Sequence, residues 1–265
     1  GRVGQLRAAA EGVPVDRGDH GHGQAVDAVE DLGVHPAQRV VPPPLAQLAD
    51  VRAGRGKLTM PDGLVYDGIW SAGQMSGTGV LVQGSGDRYE GQMLNGRREG
   101  QGIATYANGD VYEGSFKSDR RHGQGTFTGT DGYVYTGSWV EGRMEGEGRI
   151  TYPDGSVYTG GMKDDRPHGS GTITYPDGAS YSGQWAAGVI EGEGKATYAN
   201  GMVYEGGFRN ARNHGQGRMT YPDGYVYNGA WADGQRHGEG HAGGERTEAG
   251  MIGLGELEPD RSEEH

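Results

Sequence analysis

Aromatic residues and glycines recur along most of this chain with a period of 23 residues. Each period opens with a tyrosine, a glycine follows two residues later, and a large apolar residue stands two residues after that. Because this order repeats without an insertion, it predicts a row of equal structural units. The tyrosines are Tyr66, Tyr89, Tyr112, Tyr135, Tyr158, Tyr181, Tyr204 and Tyr227.

Within one unit, the alternation of large and small residues predicts two short β-strands. In residues 225–231 every second residue is aromatic or glycine, ending at Trp231, so one face of this strand is aromatic. In the second strand Gly215, Gly217 and Met219 share a parity, which places both glycines on the face that carries the large side chains. We therefore expect aromatic rings to lie over bare glycine backbone.

Asx-Gly pairs such as Asn200-Gly201 mark the connections between strands, often after a proline as in Pro153-Asp154-Gly155. Glycine supplies the positive φ that a tight hairpin connection requires, and the proline fixes φ on entry. Each unit is therefore predicted to be a β-hairpin.

The predicted fold is all-β: an elongated single-layer twisted antiparallel sheet of tandem 23-residue β-hairpins, with irregular N- and C-terminal extensions. Eight units occupy residues 66–249, and at about 4.8 Å per strand they make a sheet on the order of 75 Å long. Residues 53–65 form a partial N-terminal repeat, the second half of a ninth unit. Residues 1–52 are expected to be a disordered or weakly helical arm, and residues 250–265 an acidic tail.

Composition and charge exclude several classes of function. Only 33% of the residues are hydrophobic and 55 are glycine, which is too little apolar mass for a thick globular core. The formal net charge is −12 and no basic block is present, so nucleic acid is not expected as a partner. The chain has no cysteine, and no apolar run is long enough for a transmembrane segment. It opens with Gly1 and shows no basic-then-apolar leader, from which we expect either a fragment of a larger protein or an edge of a gene model.

Candidate catalytic and metal-binding residues do not assemble into a site on such a sheet. His122, His168 and His214 are about 20 Å apart in steps of two repeats, too far to share one metal ion. The Gly-x-Gly pairs lie inside predicted strands, with no helix N-terminus after them to hold a phosphate. Glu145 and Glu147 lack the shaped pocket that a catalytic carboxylate pair needs. We predict that the chain is not an enzyme and binds no cofactor and no metal.

A finer pattern has a period of 46 residues, because the residue before each Gly-x-Gly pair alternates between Glu and His. One interpretation is tandem duplication of hairpin pairs without functional content, which we favour. The other is a surface with two alternating types of contact. The column reads Glu99, His122, Glu145, His168, Glu191 and His214.

The repeated pattern resembles a known family. The order Tyr-x-Gly-x-Trp-x-x-Gly-x-x-x-Gly-x-Gly, complete in residues 135–148, 181–194 and 227–240, is similar to the MORN repeat (membrane occupation and recognition nexus). The resemblance covers most of the chain. The departures are Met93 and Met162 for the aromatic residue, Asp119, Asp165 and Ala211 for the middle glycine, and Gly129 and Gly244 for a late tyrosine.

The resemblance implies binding of protein helices, dimerisation and contact with anionic phospholipids, including phosphoinositides. We expect a cytoplasmic scaffold or adaptor, peripheral to a membrane or the cytoskeleton. Its aromatic face would receive an extended or amphipathic protein segment, or a second copy of itself as a homodimer. This predicted partner-binding face comprises Tyr112, Phe116, Tyr135, Trp139, Tyr158, Tyr181, Trp185, Tyr204, Phe208, Tyr227 and Trp231.

Arginines in the hairpin loops form a second candidate surface, because each could bind a phosphate or carboxylate. The alternative is a solvated loop row whose charge is balanced by Asp119, Asp165, Glu99 and Glu145. Since the chain is acidic overall, we rank protein partners above weak binding of anionic phospholipid. The arginines are Arg97, Arg98, Arg120, Arg121, Arg143, Arg166 and Arg212.

A different class of function is also consistent with the resemblance. Plant-type phosphatidylinositol-4-phosphate 5-kinases carry similar arrays before a kinase domain, so this chain could be the regulatory region of such an enzyme. No kinase motif occurs in the sequence given.

Overall fold

The computed structural model describes residues 53–243 as one open sheet of 17 antiparallel strands, which confirms the predicted all-β fold. Each strand pairs with its neighbours in the chain, from β1 with β2 to β16 with β17. The predictions for residues 1–52 and 250–265, and for residues 244–249 at the end of the eighth unit, lie outside the described residues. The strands are β1 (Gly54–Thr59), β2 (Val65–Ser71), β3 (Gln74–Val82), β4 (Arg88–Leu94), β5 (Arg97–Thr105), β6 (Val111–Lys117), β7 (Arg120–Thr128), β8 (Val134–Val140), β9 (Arg143–Thr151), β10 (Val157–Lys163), β11 (Arg166–Thr174), β12 (Ser180–Ala186), β13 (Val189–Thr197), β14 (Val203–Arg209), β15 (Arg212–Thr220), β16 (Val226–Ala232) and β17 (Gln235–Gly243).

The first tyrosine of each repeat lies over its own strand. The hydroxyl of Tyr181 donates to the carbonyl oxygen of Gln184 at 3.0 Å, so the ring crosses the glycine between them. A Cβ added to Gly183 or Gly194 would collide with this ring. The same contact occurs in all eight repeats, which confirms that rings lie on glycine backbone. We call the side of the sheet that carries these tyrosines the ring face, and the opposite side the outer face.

The large apolar residue that stands four positions after each of these tyrosines contacts the neighbouring repeat. The ring of Trp185 packs edge-on against Tyr158 of the preceding repeat, with centroids 5.2 Å apart, and against Tyr181 of its own repeat at 5.6 Å. Its indole Nε1 donates to the carbonyl oxygen of Gly171 at 3.1 Å. Each repeat therefore completes its core only with the next repeat, as in other repeat proteins.

Two-residue turns join the two strands of each hairpin. Both turn residues have positive φ, for example 47° at Asp164 and 64° at Asp165, as a type I′ turn requires. The N–H of Asp165 donates to the carbonyl oxygen of Met144 in the preceding repeat at 3.2 Å. The predicted Asx-Gly connections are five-residue loops between repeats, with positive φ at the glycine, such as 85° at Gly155.

The first glycine of each Gly-x-Gly pair forms a β-bulge. Gly215 has a φ of 73°, and the register between β14 and β15 shifts between Gly206 and Phe208. At the equivalent Gly192, an added Cβ would lie 3.2 Å from Gln184 on the outer face. The prediction that both glycines lie on the ring face is therefore wrong for the first, because the bulge reverses the direction of its Cβ. The second glycine lies under a ring as predicted.

Most repeats have a tyrosine directly after their second strand, as Tyr152 follows β9, and a different tyrosine packs against the core where this one is missing. Gly129 stands at that position, and the ring of Tyr133 packs against Phe127 with centroids 6.3 Å apart and against Tyr152 at 6.1 Å. The ring missing at Gly129 is therefore replaced by Tyr133 at the other end of the same five-residue loop.

Ala211 lies at a turn position with positive φ, where glycine is expected to stabilise the fold more than alanine does. It has a φ of 58° at the second turn position, where most repeats carry glycine. Ala211→Gly removes the cost of a left-handed alanine, about 1 kcal/mol, and loses part of that gain through the freer unfolded chain. We expect the free energy of unfolding to rise by roughly 0.5 kcal/mol, measured by urea denaturation.

Ala186→Gly is the matched control, because Ala186 is exposed in β12 and outside the positive-φ set. It should lower the free energy of unfolding by about 0.5–1 kcal/mol. The same sign of change in both variants would contradict the argument from φ.

Candidate interaction surfaces

The aromatic residues predicted to receive a partner form the core of the array. Each is buried, with 6% or less of its surface exposed. Other rings and the glycine backbone cover them, so almost no ring surface is left for another molecule. A partner of the folded array would contact the residues around the rings instead, and binding at this face stays a prediction. The residues concerned are Tyr112, Phe116, Tyr135, Trp139, Tyr158, Tyr181, Trp185, Tyr204, Phe208, Tyr227 and Trp231.

The predicted arginine surface divides into an accessible set and a buried pair. Arg98 and Arg121 are 2% and 1% exposed, so their placement in solvent-accessible anion-binding loops is wrong. Both occupy the second position of their strand, which points to the ring face and in other repeats holds apolar residues such as Met144 and Ile190. The accessible set is Arg97, Arg120, Arg143 and Arg166, which are exposed, and Arg212, which is half-buried.

Arg121 lies between aromatic rings of two successive repeats. Its Cζ is 5.7 Å from the ring centroid of Tyr112 and 4.2 Å from that of Trp139 in the next repeat. Its Nη2 donates to the carbonyl oxygen of Gly142 at 3.1 Å. Burial lowers the pKa of the Arg121 guanidinium, and cation–π contact with the two rings offsets part of that desolvation.

Arg98 repeats this arrangement one unit earlier. Its Cζ lies 5.8 Å from the ring centroid of Tyr89 and 5.2 Å from that of Phe116 in the next repeat. Its Nη2 donates to the carbonyl oxygen of Asp119 at 2.6 Å, and its Nε lies 3.6 Å from Oδ1 of the same residue. Both arginines therefore serve as contacts between repeats.

Two of the exposed arginines pair with acids of the following repeat. Nη1 of Arg120 lies 3.6 Å from Oε2 of Glu141, and Nη1 of Arg143 lies 3.3 Å from Oδ1 of Asp164. Such exposed pairs contribute little to stability, but they reduce the positive charge offered to a phosphate. Acids therefore balance the charge of these two arginines, but they are Glu141 and Asp164 and not the four acids named from the sequence.

The glutamates of the alternating Glu/His column cap the turns of the next repeat, and one histidine of the column does the same. Oε2 of Glu145 accepts the N–H of Asp164 at 2.9 Å, and Nδ1 of His168 accepts the N–H of Ala187 at 3.4 Å. Among the described histidines of this column only His168 makes this bond, whereas all three glutamates do. A shared role in capping the turn therefore holds at one histidine, and both interpretations of the alternation stay open.

The outer face carries exposed aliphatic side chains that the sequence analysis did not single out. Leu94 is 52% exposed and Ile103 is 38% exposed, and Ile69 and Val140 are also exposed. Because strand residues alternate between the two faces, the sequence alone would have placed all four side chains on the face opposite the rings. They lie among polar and charged residues along an otherwise hydrophilic surface.

The described part of the chain offers little enclosed space. A cavity of about 10 Å³, lined by Gln83, Arg98 and Tyr106 among others, lies between the first two full repeats. It has room for about one water molecule. Across residues 53–243, no three His, Asp or Glu side chains are grouped to hold a metal ion. No helix in that range is long and apolar enough to cross a membrane.

Comparison with protein families identifies the repeat. A family model described as "MORN repeat" matches nine consecutive stretches that together cover more than half of the chain. Among curated proteins, no match to the chain was found. The matched stretches are residues 49–65, 66–88, 89–111, 112–132, 135–157, 158–180, 181–203, 204–224 and 227–241.

Several solved structures are similar to the chain at low identity. The G-box domain of the microcephaly protein CPAP is 16% identical, with 72% of this chain and 98% of that chain covered and a TM-score of 0.45. The TCP domain of SAS-4 (dCPAP) from Drosophila melanogaster, in complex with a proline-rich motif of Ana2 (dSTIL), is 17% identical, with 60% and 88% covered and a TM-score of 0.37. The TCP10 domain of Danio rerio CPAP, with a STIL peptide, is 17% identical, with 67% and 84% covered and a TM-score of 0.23. Likeness at this level carries no conclusion about function.

Proposed function

Because this chain belongs to the MORN-repeat family, we propose that it is a non-catalytic scaffold or adaptor that binds a protein partner along its sheet. The observation that carries this proposal is the continuous register of 17 strands, which turns one short hairpin into an extended, regularly spaced surface. Repeat proteins use such extended surfaces to bind partners.

The outer face is the accessible part of this surface. Its exposed side chains recur every two strands, about 10 Å apart. At Leu94 and Ile103 the face adds apolar area between charged residues, the combination that interface centres use with a polar rim. We place the first contact of the partner here rather than on the buried rings.

A capture experiment with a paired variant tests this proposal. Leu94→Ser combined with Ile103→Ser removes exposed apolar surface and should leave the melting midpoint nearly unchanged. The full chain is immobilised, and proteins retained from a cell extract are quantified. We expect at least one protein to be retained by the native chain and reduced about 5-fold or more by the double variant, a loss of about 1 kcal/mol in binding.

Thr159→Ser combined with Lys163→Ser, on the outer face of a central repeat, is the matched control. It should retain the same proteins as the native chain. The proposal fails if nothing is retained above bare resin, or if both double variants lose the same proteins equally.

Anionic phospholipid is a second candidate ligand, and the exposed Arg97 and Arg166 with the half-buried Arg212 favour it. The variant with all three changed to Ala should reduce cosedimentation with phosphoinositide vesicles about 10-fold or more. Because exposed charges are screened, raising the salt concentration should reduce binding of the native chain as well. If neither the triple variant nor the higher salt concentration reduces binding to the vesicles, the proposal that the chain binds anionic phospholipid is wrong.

A further inference from the structure

Most junctions between two repeats are filled binding sites for one aromatic residue, with methionine in its place at two of them. At the junction of β15 and β16, Trp231 lies opposite Gly215, and its Nε1 donates to the carbonyl oxygen of Gly217 at 3.2 Å. Its ring packs edge-on against Tyr204 of the preceding repeat, with centroids 5.3 Å apart. The second strand of one repeat therefore presents a backbone edge and a tyrosine, and the first strand of the next repeat inserts an aromatic ring.

Strand β17 presents the same edge with no strand of residues 53–243 beyond it. Gly238 repeats the bulge, with a φ of 65°, and Gly240 lies under the ring of Tyr227 as Gly217 lies under Tyr204. All nine residues of β17 are exposed, whereas internal second strands such as β15 contain buried residues. The backbone of β17 therefore has the form of an internal junction, and no aromatic residue of positions 53–243 fills it.

Arg236 provides the other wall of this site. It occupies the same strand position as Arg98 and Arg121, each of which lies between its own tyrosine and the aromatic residue of the next repeat. The Cζ of Arg236 lies 4.8 Å from the ring centroid of Tyr227, so the first half of that arrangement is already formed. Its side chain is exposed at the end of the array, where the second ring would stand.

We propose that the free edge of β17 binds an extended segment of a partner protein that carries a Trp or Phe, as in Tyr-x-Gly-x-Trp. The segment adds a strand to the sheet, and its aromatic ring packs against Tyr227 and Arg236. An indole N–H of the segment donates to the carbonyl oxygen of Gly240, as the one of Trp231 does to Gly217. This site specifies one partner chemistry for the scaffold and rests on the proposed function.

Two other occupants fit this edge less well. In residues 53–243 every first strand, from β2 to β16, is paired on both sides, so a second copy has no such strand to donate. The chain's own tail places Leu254 23 residues after Trp231, at the position of the aromatic residue. Leucine offers neither a π-system for Arg236 nor an indole N–H for Gly240.

The probe is a labelled peptide with the sequence of residues 225–232, Tyr-Val-Tyr-Asn-Gly-Ala-Trp-Ala, titrated into the full chain and followed by anisotropy. We expect saturable binding that weakens about 10-fold when the Trp of the peptide is replaced by Ala. Arg236→Ala should weaken binding of the native peptide about 5-fold. Because Nη2 of Arg236 also donates to the hydroxyl of Tyr221, the melting midpoint of this variant is measured as well and should fall only slightly. The substitution should have almost no effect on the peptide that lacks Trp, because the two changes remove one shared contact.

Arg209→Ala is the matched control, an exposed arginine at the end of β14 that should leave peptide binding unchanged. Equal binding of both peptides, or equal effects of Arg236→Ala and Arg209→Ala, overturns the proposal. Tighter peptide binding by Leu254→Ser would assign the edge to the chain's own tail instead. A concentration-dependent dimer lost in Arg236→Ala would assign it to a second copy. The peptide titration does not involve Leu94 or Ile103. Failure of the β17 proposal can therefore be told apart from failure of the proposed scaffold function, which the capture experiment tests.

Discussion

Replacing Gly183 by Val is expected to lower the free energy of unfolding by about 4 kcal/mol or more, a very large effect for one substitution. The first added carbon would overlap the hydroxyl of Tyr181 and would lie 2.6 Å from both the carbonyl oxygen of Glu193 and the Cα of Gly194. Two of these three obstacles are backbone, so no side-chain rotation relieves them. Urea denaturation followed by tryptophan fluorescence measures the loss.

Gly243→Val is the control for this experiment, because nothing lies within 4 Å of its added Cβ and the residue is exposed. Its unfolding midpoint should stay close to that of the native chain. Since repeats contact only their neighbours, we also expect Gly183→Val to introduce an earlier transition that involves part of the array. A midpoint unchanged by Gly183→Val would show that the Tyr181 ring does not lie on this glycine.

Raising the pH above about 10 is expected to unfold the array steeply. Burial raises the pKa of Tyr89, Tyr181 and Tyr198 to about 12, and it also raises the pKa of Tyr112 and Tyr158. A tyrosine whose pKa is raised by folding must stay neutral in the folded state. Its stabilisation is complete below the unfolded pKa of about 10 and is lost as the pH rises through the folded value. For the well-buried Tyr198 this shift corresponds to roughly 3 kcal/mol of stability.

Urea midpoints and tyrosinate absorbance, followed together from about pH 8 to about pH 12, measure this loss. We expect tyrosinate to appear in one cooperative step together with the loss of β structure. In concentrated urea, where the chain is unfolded, the same tyrosines should titrate near pH 10. Tyrosinate that forms gradually near pH 10 in a folded sheet would show that these hydroxyls reach water.

The fold was predictable because one constraint acts in every repeat. A tyrosine two residues before a glycine needs bare backbone beneath its ring, and the unbroken period of 23 residues puts each such pair in the same place. The alternation of strand residues then fixes the ring face. Local pattern and tertiary packing point to the same structure, which makes the hairpin array specific.

The buried arginines could not be read from charge alone. Arg97 and Arg98 are adjacent in sequence, yet strand alternation directs one to solvent and the other to the ring face. Alignment of the repeats gives a usable signal, because the column of Arg98 and Arg121 holds Met144 and Ile190 elsewhere. What the pattern does not show is that guanidinium groups fit there by stacking between aromatic rings.

The glycine bulge was missed for a related reason. Period-two parity assumes an uninterrupted strand, but the register shift between Gly206 and Phe208 leaves extra residues on the opposite strand. Positive φ at Gly215 absorbs that excess. A glycine can therefore recur in every repeat either because a ring covers it or because the backbone turns there, and sequence spacing alone does not separate the two causes.

The hydrogen bonds from each turn to the preceding repeat also bear on how such proteins change during evolution. The N–H of Asp165 donates to the repeat before it, and the ring of Trp185 packs against tyrosines of its own repeat and of the repeat before it. If one whole repeat is deleted or inserted, the two repeats that become neighbours can therefore still make the same contacts with each other. The distance between molecules held at opposite ends can then be inherited in increments of two strand spacings, about 10 Å each.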